Sequence, residues 1–226
     1  PNPEPRDPQP AAHARRVLVT AGPTREPIDA VRFISNRSSG KMGIAIAEAA
    51  VEAGDDVTLL VGPVELPEAF TRTRPGVRVY RFDSSAELKQ LLDAHFGDCQ
   101  LLIMAAAVAD HRPTQVHEGK LEREGGGPLT VELQPTPDLV ALAAAGKRAN
   151  QRVVAFALEQ RDRLEERALA KMSRKGVDAI VANPLGTMEA GEITPVWLTA
   201  AGEREAPGRM SKQAFARWVI ERARGL

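Results

Sequence analysis

Short apolar runs recur along this chain, each a strand's length and separated from the next by a polar stretch or a helical pattern. They are Arg16–Thr20 (RVLVT), Asp56–Val61 (DVTLLV), Val77–Phe82 (VRVYRF), Gln100–Ala107 (QLLIMAAA), Arg152–Ala157 (RVVAFA) and Val177–Ala182 (VDAIVA). Runs of this kind read as strands buried on both faces, which need helices on each side to cover them. Helical spacing fills several of the gaps. In Gly40–Ala53, Ile44, Ala47 and Val51 form one stripe, with Met42, Ile46 and Ala50 beside it. Ser84 with Glu87 three residues on makes a capping pair ahead of Leu88, Leu91 and Leu92. Asp162–Arg174 supplies a third helix and Ser211–Arg224 an amphipathic fourth, while Glu192–Thr199 is expected as a late strand. The predicted fold is α/β: a doubly wound, mostly parallel Rossmann-like sheet.

Domain organisation follows from the same pass. Residues 1–14 are Pro-rich with little to pack and read as a disordered tail or linker. Residues 15–226 read as one domain, interrupted by a polar flap around 111–131 that carries Gly125-Gly126-Gly127. A chain that opens on Pro fits a processed end or a piece of something longer. Lys+Arg and Asp+Glu are both 30, so no net field draws nucleic acid or an anionic membrane. No apolar run approaches the roughly 18–20 residues that span a bilayer, and no signal pattern precedes the first strand, so the expected compartment is a cytoplasm. Cys99, without a second cysteine, excludes an internal disulfide and reads as a small core hydrophobe. His13, His95, His111 and His117 show neither metal-ligand spacing nor a Ser–His–Asp arrangement, and Trp197 and Trp218 read as packing residues.

In a doubly wound sheet, ligands lie beyond the carboxyl ends of the strands. The stretch ISNRSSGKMG, Ile34–Gly43, follows the first strand and precedes a helix. A helix starting near Ser39 or Gly40 aims unpaired N–H groups and about half a positive charge at whatever lies before it. Ser38 and Ser39 add hydroxyls, Gly40 lets a phosphate near the backbone, and Arg37 and Lys41 add charge, which together make an anion seat. The glycines do not spell G-x-G-x-x-G, and Met42 follows Lys41 where a Walker loop needs Ser or Thr. Asn36 reads either as a turn former or as an amide donor to a carboxylate or developing oxyanion. The small residues Ala105, Ala106 and Ala107 admit a flat ring or ribose to the backbone, or else reflect tight packing. Asp110 is the candidate for hydroxyls or a divalent cation. Lys171 and Lys175, four apart on one helix face, read as a solvated pair or as two cations bridged by an anion. Lys120, in the flap, reads either as an exposed lysine or as a cation that swings onto a phosphate.

Taken together, VLVTAGPTREPIDAVRFISNRSSGKMG (Val17–Gly43), AAAVADHRP (Ala105–Pro113), PDLV (Pro137–Val140), VAFALE (Val154–Glu159) and KMSRKGVDAIVAN (Lys171–Asn183) closely resemble the phosphopantothenoylcysteine synthetase, or phosphopantothenate–cysteine ligase, domain. In many bacteria that domain is fused to a flavin-dependent decarboxylase. The resemblance implies a ligase that joins 4′-phosphopantothenate to L-cysteine through an acyl-nucleotidylate, with CTP as the expected co-substrate, ATP the alternative, and Mg²⁺ as cofactor. It implies catalytic roles for Asn36, Arg32 and Lys120. Ser38, Ser39, Gly40, Ala105, Ala106, Ala107, Asp110, Lys120, Phe156, Ala157, Leu158, Glu159, Lys171 and Lys175 are implied as nucleotide-binding, with Asp110 as the metal candidate. A homodimer is implied as well, with small molecules rather than nucleic acid or membrane as partners. Departures from the family pattern fall on the flap (KLER, Lys120–Arg123), on Thr136 ahead of Pro-Asp, on Leu158 and on the late segment PLGTMEAGEITPVW. The competing readings are a nucleotide-binding homologue that has lost catalysis and an NAD(P)-dependent oxidoreductase; the missing G-x-G-x-x-G counts against the latter.

Overall fold

The structure is a computed structural model that describes residues 14–71, 76–122, 127–187 and 192–226. The tail at 1–13, Arg123, Gly125 and Gly126 of the flap, and 188–191 of the late segment lie outside the described residues. The chain runs β1 (Arg16–Ala21), a hairpin of β2 (Arg25–Pro27) and β3 (Phe33–Ser35), α1 (Lys41–Glu52), β4 (Asp56–Val61), the single turn α2 (Glu68–Thr71), β5 (Val77–Arg81), α3 (Ser85–His95) and β6 (Leu101–Met104). Next come β7 (His111–Pro113), β8 (Leu133–Pro135), α4 (Leu139–Gly146), β9 (Arg152–Glu159), α5 (Leu164–Lys175) and β10 (Ala179–Pro184). The last elements are β11 (Glu192–Ile193), β12 (Val196–Thr199), β13 (Arg204–Glu205), β14 (Met210–Ser211) and α6 (Lys212–Arg224).

The described strands build an eight-stranded sheet in the order β13-β12-β10-β9-β6-β1-β4-β5. Pairings from β5 through β10 are parallel, and β12 and β13 add antiparallel strands at one edge. Chain order reverses between β1 and β6, which makes their carboxyl ends the topological switch point where such sheets take ligands. Two apolar layers cover the sheet. One packs α1 and α6, with Ile46, Phe215 and Val219, against Val19, Leu59 and Val181. The other packs α3, α4 and α5, with Leu88, Leu139 and Met172, against Leu18, Leu102 and Ile180. Trp197 is buried and meets Trp218 edge-on at 6.1 Å, and Cys99 is buried, where desolvation pushes its thiol up to about 11. Among the described residues no helix is long and apolar enough to cross a membrane.

The expected strands and four helices all form, and the sheet is the α/β architecture anticipated. Glu192–Thr199 is instead split in two: β11 pairs with β14, and β12 joins the sheet edge beside β10. Pro195, between them, has no N–H to give a ladder. The unforeseen α4 begins at Asp138, whose carboxylate accepts from the Ala141 N–H at 3.1 Å; an N-cap ahead of an Ala- and Leu-rich run was its sequence signal. The flap's arms are ordered, with β7 pairing antiparallel to β8.

Two glycines of SSGKMG have distinct structural duties. Gly40 is the N-cap of α1 at φ 71°, a left-handed conformation that disfavours side chains. Gly43 lies against β1 so closely that a Cβ there would stand 2.6 Å from Ala21 Cβ and 2.7 Å from the Thr20 carbonyl oxygen. Gly43→Ala is therefore expected to destabilise the protein by about 1–3 kcal/mol, the usual cost of overpacking. Gly146→Ala, where a Cβ would meet nothing within 4 Å, should be neutral or mildly stabilising. Urea denaturation of the two variants beside the parent tests this; equal midpoints would contradict the close packing.

Candidate functional site

A cavity of about 450 Å³ opens at the switch point, between the start of α1, the carboxyl ends of β6, β9 and β10, and the last turns of α5. Its floor follows from the Ala-rich segment after β6, which is stitched to the loop after β1. The Ala106 N–H donates to Thr20 Oγ1 (3.0 Å), the Ala107 N–H to the Gly22 carbonyl (2.9 Å), and the Ala109 N–H to Thr24 Oγ1 (3.0 Å). Backbone held this way needs small side chains, and it lies open to a flat ligand.

Ser38, Ser39, Gly40, Ala105, Ala106, Ala107 and Asp110 line the cavity, as do Phe156, Ala157, Leu158, Lys171 and Lys175. Lys41, Arg174 and Lys212 line it too, so five cations face two carboxylates, Asp110 and Asp138, although the whole chain is neutral. Arg174, Asp138 and Lys212 were not legible as site residues; they come from a helix end, a helix cap and the first turn of the C-terminal helix. Burial and the neighbouring Lys41 charge lower the pKa of Lys212. Thr136 Oγ1 and Asn183 Oδ1, both on cavity-lining residues, are buried without a hydrogen-bond partner.

The two α5 lysines do not stand as bare neighbours. Lys171 Nζ lies 2.5 Å from Glu159 Oε1, and Lys175 Nζ lies 2.7 and 2.6 Å from the Asp138 oxygens. Glu159 sits behind Lys171 rather than in the cavity wall. Burial alone would raise its pKa, but Lys171 and Arg167 together hold it below the usual carboxylate range. Asp138 is likewise held low, desolvation being outweighed by Lys175 and the Ala141 N–H.

Asn36, Arg32 and Lys120 lie outside the cavity wall. Asn36 Nδ2 donates to the carbonyls of Ala107 (3.2 Å) and Val108 (3.0 Å), so its donors are spent on the Ala-rich floor and it fixes the start of α1 against β6. Arg32 forms a clasp with Asp29, a residue that sequence reasoning missed. Asp29's side chain is fully buried and accepts from the N–H groups of Val31 (2.8 Å), Arg32 (2.6 Å) and Leu121 (3.1 Å) and from Arg32 Nη1 (2.9 Å). Arg32 also donates to the Leu121 carbonyl, and the Ala30 N–H donates to the Gly119 carbonyl at 3.0 Å. The loop between β2 and β3 therefore grips the flap on both sides of Lys120, which is exposed. Burial pushes the Asp29 carboxyl up, but its backbone donors and Arg32 outweigh this and hold it below the ordinary range.

Asp29, Asp138 and Glu159 thus all titrate lower in the folded state than in the unfolded chain, where carboxyls titrate near about 4. Their contribution to stability is complete above that range and is lost as pH falls through the depressed folded values. The melting temperature should drop steeply below about pH 4, and Asp29→Asn should melt lower at neutral pH with a shallower acid slope. Parallel slopes for parent and variant would refute this account of the clasp.

The arrangement is thus a polar, net cationic cleft bounded by a helix start and small-residue backbone. It suits a phosphorylated ligand carrying a flat ring. The family described as the DNA/pantothenate metabolism flavoprotein C-terminal domain matches residues 12–226. The coenzyme A biosynthesis bifunctional protein CoaBC of Mycobacterium tuberculosis is 40% identical over 218 residues, covering 92% of this chain and 51% of that protein. A cysteine/cysteine sulfinic acid decarboxylase of an unknown prokaryotic organism is 44% identical over 182 residues, covering 79% of this chain and 48% of that protein. The chain therefore spans about half the length of the curated relatives it matches. The crystal structure of the C-terminal domain of CoaBC superposes with a TM-score of 0.76 at 33% identity, covering 92% of this chain and 93% of that one.

Proposed function

The chain belongs to the DNA/pantothenate metabolism flavoprotein C-terminal domain family, and from that premise we propose that it joins 4′-phosphopantothenate and L-cysteine in coenzyme A biosynthesis. The observation that carries this reading is the cationic cavity at the switch point, five cations against two carboxylates at the start of α1. Activating a carboxylate with a nucleoside triphosphate gathers two phosphorylated reactants in one place. The protein's contribution is then to position them and to offset their charge. The 4′-phosphopantothenate carboxylate attacks the α-phosphate of CTP, pyrophosphate leaves, and the cysteine amine displaces CMP from the acyl-nucleotidylate. No side chain need act as nucleophile, which agrees with Cys99 being buried with a raised pKa.

Lys171 and Lys175 meet the triphosphate by exchanging Glu159 and Asp138 for phosphate oxygens, so the ion pairs hold both amines ready without leaving them unpaired. Asn36, Arg32 and Asp29 act by position: the first holds the Ala-rich floor against α1, and the other two hold the flap from which Lys120 reaches the bound reactants. Among the described residues no group of three or more metal-ligating side chains comes together. The donor set therefore suits Mg²⁺ carried in on the triphosphate, with Asp110 as the carboxylate at hand, since that ion keeps most of its waters and shares substrate phosphates. When bound, it would offset phosphate charge.

The decisive assay supplies 4′-phosphopantothenate, cysteine, Mg²⁺ and either CTP or ATP, and follows pyrophosphate and the thiol product. Turnover with CTP is expected, with ATP the poorer substrate. Lys175→Ala should weaken nucleotide affinity, and Asn36→Ala should lower turnover by about 10²-fold, the scale set by a misplacement of about 1 Å around the reacting groups. No product with either nucleotide would end the ligase reading.

A homodimer is part of the same proposal. Val31 and Phe33 of the β2–β3 hairpin and Val116, Leu129 and Leu133 of the flap are exposed apolar side chains on neighbouring hairpins, a cluster that suits burial against a second copy. Sedimentation should give a dimer for the parent and a monomer for Phe33→Glu combined with Leu133→Glu; an unchanged dimer would place the interface elsewhere.

A further inference from the structure

Strand β10 ends at the cavity with a side chain whose amide oxygen has no hydrogen-bond partner. Asn183 is 6% exposed, lines the cavity, and has its Oδ1 buried without a partner. A buried amide left so costs about 1–3 kcal/mol relative to a satisfied one. A central strand that keeps such a group at a ligand cavity is holding it for a ligand.

The face it occupies narrows the choice. Side chains alternate along a strand. Val181, two residues earlier, packs in the layer of α1 and α6, so Asn183 faces that side. Its register partner is Leu158, and Phe156, opposite Val181, meets Phe215 of α6 edge-on at 6.3 Å. Lys41 and Lys212, at the starts of α1 and α6, line the cavity on this side. Ala157 and Glu159 point to the opposite face, where Lys171 and Lys175 of α5 stand. The cavity thus has two cationic ends, one on each face of the sheet, and Asn183 belongs to the α1/α6 end.

We propose that Asn183 is a specificity-determining residue that grips an amide-like edge of the reactant on the α1/α6 face, donating from Nδ2 and accepting at Oδ1. The proposal rests on the ligase reading above. Two reactants carry such groups: CTP in the amino group and ring nitrogen of its base, the adjacent donor–acceptor pair that side-chain amides match on bases, and 4′-phosphopantothenate in its amide, whose trans geometry offers its C=O or its N–H singly. Both are anionic, which suits a cavity wall that carries Lys41.

The test uses the full chain and two near-isosteric variants. Asn183→Leu removes both hydrogen-bonding groups, and Asn183→Asp exchanges the donor for an acceptor oxygen and adds a negative charge. Melting curves are recorded without ligand, and CTP and 4′-phosphopantothenate are titrated separately by calorimetry. Asn183→Leu should melt no lower than the parent, because an unpaired buried amide has gone, yet bind one reactant at least tenfold more weakly with the other unchanged. Loss confined to CTP assigns the edge to the base, and loss confined to 4′-phosphopantothenate assigns it to the amide. Parent-like affinity for both reactants would overturn the proposal, as would a lowered melting temperature with both affinities falling together. A parent chain that bound neither reactant would instead bring down the ligase reading, and this inference with it.

Discussion

The contact on which the rest of the structure depends is the approach of α1 to the end of β1 at Gly43. With any Cβ at that position standing 2.6–2.7 Å from Ala21 and Thr20, α1 would have to lift off the sheet. Its start would then leave the switch point. Gly40 completes the arrangement by turning the chain into the helix through a left-handed conformation without a side-chain cap. The first turn's N–H groups therefore face the cavity with no side chain spent on them, and a helix start in that condition attracts anions.

The loop after β1 is held from two directions. Thr20, Gly22 and Thr24 bind the Ala-rich segment after β6, and Asn36 ties the segment before α1 to the same run. Further out, Asp29 and Arg32 carry that order into the flap. Asp29 accepts backbone donors from its own loop and from Leu121, so one buried carboxylate couples two surface segments distant in sequence. Four residues of the TREPIDAVRFISN motif, Thr24, Asp29, Arg32 and Asn36, thus bond to backbone groups.

Charge is distributed on the same principle. A chain with equal numbers of acids and bases concentrates cations where three helices meet the cavity, and compensating carboxylates stand beside or behind the α5 lysines. Such pairs keep long side chains in place and leave a phosphate the option of replacing a carboxylate.

Sequence alone determined the strands, the parallel winding and the glycine-led start of α1, because buried strands, helical stripes and glycine-bearing turns are local patterns set by backbone geometry and burial. It also brought Ser38–Gly40, Ala105–Asp110, Phe156 and Lys171/Lys175 forward, since residues that follow strands in such a sheet converge at one edge. The split of Glu192–Thr199 was visible only as Pro195. What the tertiary structure alone decided is partnership: that Lys171 meets Glu159, that Lys175 meets Asp138, that Asp29 holds the flap, and that Lys212 reaches the cavity. Those contacts join residues set far apart by chain crossovers, and no periodicity in a linear sequence encodes which side chains a sheet's winding brings within 3 Å of one another.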